Sequence, residues 1–191
     1  MDDDSGVVLT RHKLSADDYH RMAEAGILGA EDRVELIGGE IIDMAPIGQD
    51  HAGTVGSLTE ALVLAFAGRA IVFVQNPIRL DDRSEPEPDF AVLRRRTDFY
   101  RTGERPGPAD VLLLIEVADT SLRFDRAVKL PLYARAGIPE VWIVDLRQRA
   151  VDVHRAPRDG RYTQVTTIGA GGVLNPVLAP EARITFEQVF G

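Results

Sequence analysis

The sequence predicts an α/β or α+β domain, a mixed sheet with helices packed against it. Between residues 51 and 146 the hydrophobic pattern runs helix, three strands, helix, strand, the alternation expected of a sheet covered by helices. The segment "DVLLLIEVAD" (110–119) is almost continuously apolar, as a central strand buried on both faces would be. The chain has 191 residues, 45% hydrophobic and 27% charged, enough to bury one full core and typical of a globular protein. No repeat or long linker divides it, so residues 1–191 are expected to form a single domain, with 1–8 disordered.

The elements follow in order. Ser15 and Asp18 have capping-box spacing, and a short helix over 16–25 closes at Gly26. "RVELIGGEIIDM" (33–44) reads as two strands joined by Gly38-Gly39, a hairpin appended at the amino-terminal side of the sheet. Within it Glu35 and Ile37 share one face, Val34 and Leu36 the other. Val55, Leu58, Leu62 and Phe66 recur at the spacing of one helix face over 51–68, with Gly68 as the stop. Strands are expected over 70–80, bent at Asn76-Pro77, and over 85–96, where two prolines fix an extended approach. After the central strand, 125–137 is helical in composition and ends at Gly137, and "EVWIVDL" (140–146) is a further strand. A hairpin turning at Asp159-Gly160 and short strand-like and helical pieces over 173–190 complete the chain.

Composition narrows the function. With no cysteine, disulfides, thiolate metal sites and thiol nucleophiles are excluded. The net charge of −8 argues against nonspecific electrostatic binding of nucleic acid, yet suits hard-cation chemistry, which needs carboxylates. The amino end "MDDDSG" is unlike a secretory signal, and no apolar run approaches the roughly 18 residues of a membrane span. The expectation is a soluble, cytoplasmic protein without membrane contact.

Three polar features interrupt the apolar pattern. Asp89 follows Pro88 and opens a strand; Glu116 lies within the central strand, on the face of Leu114 and Ala118; Asp125 and Lys129 are one helical turn apart. Two carboxylates at adjacent strand ends can ligate one hard cation such as Mg²⁺, and a nearby ammonium can orient or deprotonate a water or neutralise charge on a phosphate oxygen. The plainer alternatives are a turn-capping role for Asp89 and a solvated Lys129–Asp125 pair worth about 0.3–0.5 kcal/mol. Glu116 is harder to explain away, because a carboxylate among leucines needs a partner or a metal. "LRRRTDFYRTGER" (93–105) concentrates Arg94, Arg95, Arg96, Arg101 and Arg105 with Phe99 and Tyr100, and is either a nucleic-acid contact or a solvated loop.

"PEPDFAVL", "LLLIEVADTS" and "DRAVKLPLYARAGIPEVWIVD", in that order, resemble the Uma-two family of restriction endonucleases, within the PD-(D/E)XK nuclease superfamily; the likeness runs from about Leu14 to about His154. The resemblance implies a restriction-endonuclease-like fold and a metal-dependent endonuclease acting on nucleic acid, with DNA the expected substrate and Mg²⁺ (or Mn²⁺) the cofactor. It implies that Asp89 and Glu116 are metal ligands, joined by the Val117 carbonyl, and that Lys129 serves the attacking water. The superfamily's usual lysine, two residues after the glutamate, would fall at Ala118, so the resemblance places it on the following helix. Glu35, in "VELIGGE", is a further catalytic candidate. His51, at the start of a helix, is a candidate phosphate contact or a structural residue. A homodimer is expected if both strands of a duplex are cut. The alternative from another class is a non-catalytic interaction protein retaining the nuclease fold.

Overall fold

The computed structural model describes residues 10–29 and 31–191, so the expectation for residues 1–8 lies outside the described residues. The order of elements is α1 (Ala16–Glu24), β1 (Val34–Ile37), β2 (Glu40–Asp43), α2 (Gln49–Phe66), β3 (Ala70–Val74), β4 (Phe90–Arg94) and β5 (Val111–Ala118). A helical segment follows, made of α3 (Leu122–Phe124), a π-helical turn (Asp125–Lys129) and α4 (Leu130–Arg135). Then come β6 (Glu140–Asp145), β7 (Ala150–Arg158), β8 (Arg161–Ile168), β9 (Val173–Leu174), β10 (Ile184–Thr185) and α5 (Phe186–Phe190).

Six strands form one mixed sheet in the order β3-β4-β5-β6-β7-β8. Only β5 and β6 pair in parallel, because the helical segment between them carries the chain back across the sheet. Strand alternation then sorts the core into two layers. Phe90, Val92, Leu113, Ile115, Val117, Trp142 and Val144 face Leu58, Leu62 and Phe66 of α2 and Val189 of α5. Ala91, Leu93, Leu114, Ala118, Val141 and Ile143 face Leu130, Leu132 and Tyr133 of α4. The sheet is therefore covered by helices on both faces, as the apolar run at 110–119 requires.

The local signals act as their chemistry dictates. Ser15 Oγ accepts from the Asp18 amide while Asp18 accepts from the Ser15 amide, closing the capping box. Gly38 and Gly39 both adopt positive φ (57° and 78°), which lets β1 and β2 close with a two-residue turn. Asp159 and Gly160, at φ 50° and 72°, do the same between β7 and β8.

Several boundaries differ from the sequence reading. The strand expected over 70–80 ends at Val74, because Gln75 turns to φ 50° and leaves the ladder. The strand expected over 85–96 pairs only from Phe90, so Asp89 stands just before it. The helix expected from 51 begins at Gln49, which puts His51 in its first turn. The helix expected over 125–137 starts at Leu122 and widens at Asp125–Lys129, where the Leu130 amide reaches back to the Asp125 carbonyl. Pro131 explains the widening: it lacks an N–H, and its ring would strike the carbonyl of Ala127 in a regular α-turn.

Candidate active site

A cleft of about 270 Å³ opens where the amino-terminal end of β4 meets the carboxyl-terminal end of β5. Phe90 pairs with Ile115, so Asp89 and Glu116 fall on the next rung, on adjacent strands. Both line the cleft, with Glu35, Glu87, Val117, Asp125 and Lys129.

Asp89 is held from several sides. Its Oδ2 accepts from the Val117 amide at 2.8 Å. Its Oδ1 meets His51 Nε2 at 3.1 Å and accepts from Gln75 Nε2 at 3.3 Å. The left-handed backbone of Gln75 makes the last contact possible, because the same residue also donates its amide to the Asp89 carbonyl at 3.0 Å. The hydrogen bond to Asp89 raises the pKa of His51 against the opposing effect of burial. His51 Nδ1 is buried without a hydrogen-bond partner.

Glu116 is only 3% exposed. Its Oε1 accepts from Tyr133 Oη at 2.5 Å and lies 3.3 Å from Lys129 Nζ. Its Oε2 takes no hydrogen bond from the described residues, although the side chain borders the cleft. Burial pushes this carboxyl well above the usual carboxylate range, with the Lys129 ammonium opposing the shift. Tyr133, reaching down from α4, is pushed up in turn by burial and by the charge of Glu116.

Lys129 is buried, with Nζ also 3.1 Å from Glu35 Oε2. Burial would lower its pKa, but Glu116, Glu35 and Asp125 together outweigh that and keep it protonated. The solvated Lys129–Asp125 pair of the plainer reading is thus replaced by a buried bridge between Glu35 and Glu116. Asp125 accepts instead from Ser121 Oγ at 2.7 Å. Glu35 is positioned by the β1–β2 hairpin, and its Oε2 also accepts from the Glu87 amide at 3.0 Å.

The sequence reading missed Glu87, Tyr133 and Gln75. The alternation Glu85-Pro-Glu87-Pro-Asp89 puts the three acids on one side of an extended segment, and Tyr133 stands four residues after Lys129 on the same helical path. Those spacings were the available signals. Glu87 is half-buried, and burial raises its carboxyl pKa.

The arginine run sits elsewhere. Arg94 ends β4, five residues from Asp89 and about 16 Å along an extended chain. Arg96 is paired with Asp98 and lies over Tyr100, while Arg95 covers Phe99. Tyr100 packs on Phe73 and donates to the Arg94 carbonyl rather than offering its face to a base. The run therefore borders the opposite end of the strand from the cleft.

The donor chemistry suits a hard cation: seven carboxylates line the cleft (Glu35, Asp43, Glu87, Asp89, Glu116, Asp119 and Asp125) against Arg33, Lys129 and His51. Among the described residues no three His, Asp or Glu side chains converge on a single metal position. Asp89 and Glu116, on one rung of adjacent strands, are the pair that could share such an ion. No helix among the described residues is long and apolar enough to cross a membrane.

Comparison with known proteins bears on the family and the fold. A family model described as "Uma2: Putative restriction endonuclease" matches residues 16–187. A crystal structure described as "a putative nuclease belonging to DUF820", from Anabaena variabilis ATCC 29413, superposes with a TM-score of 0.70 at 16% identity, over 93% of this chain and 97% of that one. At that identity the likeness is one of fold. No curated protein matches the chain.

Proposed function

The chain belongs to the Uma2 family, and on that premise we propose that it is a metal-dependent endonuclease hydrolysing phosphodiester bonds of nucleic acid, DNA foremost. The observation that carries this reading is the position of Lys129 Nζ, 3.3 Å from Glu116 Oε1. Ala118 leaves the strand without a lysine, and the helical segment supplies one to the same carboxylate.

Asp89 and Glu116 would hold Mg²⁺ or Mn²⁺, with the Val117 carbonyl as a third oxygen on the strand edge that already gives its amide to Asp89. The bare Oε2 of Glu116 is the oxygen free to do so. A divalent ion there supplies Lewis-acid polarisation of the phosphoryl oxygen and a lowered pKa for water. The protein's own groups set the geometry. Val117, His51 and Gln75 fix the Asp89 carboxylate, and Tyr133 fixes that of Glu116. Lys129 is placed to donate hydrogen bonds to the attacking water or to a phosphoryl oxygen. Glu35 holds that ammonium in place. The water oxygen bonds to phosphorus as the bond to the 3′ oxygen breaks, leaving a 5′-phosphate and a 3′-hydroxyl.

Calorimetric titration with Mn²⁺, alongside cleavage of plasmid and single-stranded circular DNA, tests the proposal. Wild type is expected to bind one ion and cut, and Asp89→Ala and Glu116→Gln to lose both while keeping a native circular dichroism spectrum. A wild type that binds no ion and cuts nothing would instead favour an interaction protein built on the nuclease fold.

A further inference from the structure

The cleft has walls as well as a floor, and the walls bear on what can enter. The connector from β2 to α2 contributes Met44, Ala45, Pro46 and Ile47 to the lining, and Phe124, just before the π-turn, adds an aromatic ring. Gly48, at the end of that connector, lies near Asp119: a Cβ added there would stand in ordinary van der Waals contact, 3.7 Å from Asp119 Oδ2. Glu116 and Lys129 line the same cleft and are only 3% and 5% exposed. The space of about 270 Å³ is on the scale of a single nucleotide.

Charge points the same way. Duplex affinity comes from several Lys or Arg contacts to closely spaced phosphates. Arg33 is the one exposed cation among the described residues lining the cleft, and the acids among them outnumber the bases. The concentrated arginines border the other end of β4, two of them covered by or covering their own aromatics. The cleft thus offers few cations to a run of phosphates, while its apolar lining with an aromatic ring is what an unpaired base stacks on.

From the enclosure of Glu116 and Lys129, the volume and the apolar lining, we propose that the site takes single-stranded nucleic acid, one unpaired nucleotide at a time, with a base against Phe124 and the Met44–Ile47 segment and a phosphate at Arg33. Intact duplex is excluded unless its strands have separated. The inference rests on the endonuclease reading for its chemistry, but not for its binding.

The two are separated by measuring both. Binding of a fluorescent single-stranded DNA 12-mer and of the same sequence as duplex is followed by anisotropy with Ca²⁺ present, and cleavage of each with Mn²⁺. Single strand is expected to bind at least tenfold more tightly than duplex, with a shallow salt dependence of about one released counterion or fewer. Phe124→Ala should weaken single-strand binding about tenfold, and Phe124→Trp should restore it. Equal or tighter duplex binding, with duplex cleavage, overturns the inference and leaves the endonuclease standing. Single strand bound but uncut upholds the inference and removes the endonuclease. Hydrolysis of mononucleotides alone, or binding of neither oligonucleotide, overturns it.

Discussion

At the scale of residues, the site is governed by one buried cation between two buried carboxylates. Lys129, Glu35 and Glu116 are each almost fully enclosed, so their charges are not screened as surface pairs are. Replacing Lys129 with methionine leaves Glu35 and Glu116 facing each other without compensation. The expected cost is about 3–5 kcal/mol of stability in chemical denaturation. A loss below about 1 kcal/mol would mean that the ammonium is not bridging them. Glu116 and Lys129 were legible as candidates from the sequence, since an acid in an apolar strand demands a partner. That Lys129 also meets Glu35 was not legible: 94 residues separate them, and only the hairpin's placement against the sheet brings them to 3.1 Å.

At the scale of elements, two devices aim these residues. The first is the π-turn at Asp125–Lys129, forced by Pro131. The extra residue in the turn rotates Lys129 toward Glu116 while Tyr133, farther along, reaches the same carboxylate. Pro131→Ala permits a regular α-helix, so it should raise the melting temperature while lowering metal-dependent cleavage at least tenfold. Unchanged cleavage would show that the widened turn is incidental. The second device is the hairpin that carries Glu35. A Cβ at Gly39, already at φ 78°, would come within 2.8 Å of Lys13 Cβ and 2.9 Å of the Leu14 carbonyl. Gly39→Ala is therefore expected to cost about 2 kcal/mol in a denaturant titration, and no measurable loss would contradict the packing seen there. The turn itself was readable from its two glycines. The π-turn was not, because composition marks a helix and a proline marks a disturbance, without saying which hydrogen bonds rearrange.

At the scale of the whole molecule, the sheet decides which parts of the sequence act together. The hydrophobic pattern gave the strands and their helical cover, because burial on one or both faces is written into alternation and apolar runs. It did not give register, and register is what joins Asp89 to Glu116 and sends Arg94–Arg96 to the far end of β4. Residues 89 and 96 are near neighbours in sequence, yet an extended strand holds them apart. The distant segments of Glu35, Asp89, Glu116 and Lys129 meet because β4 and β5 are adjacent, the β5–β6 crossover returns over one face, and the hairpin closes beside them. On the proposed reading, this crossover delivers, from a helix, the lysine that Ala118 does not provide. Comparing Mn²⁺ affinity and single-turnover DNA cleavage between wild type and Lys129→Met, both verified as folded, tests it most directly. Metal affinity within about threefold of wild type, with cleavage reduced at least a hundredfold, is the predicted result; cleavage at the wild-type rate would contradict it.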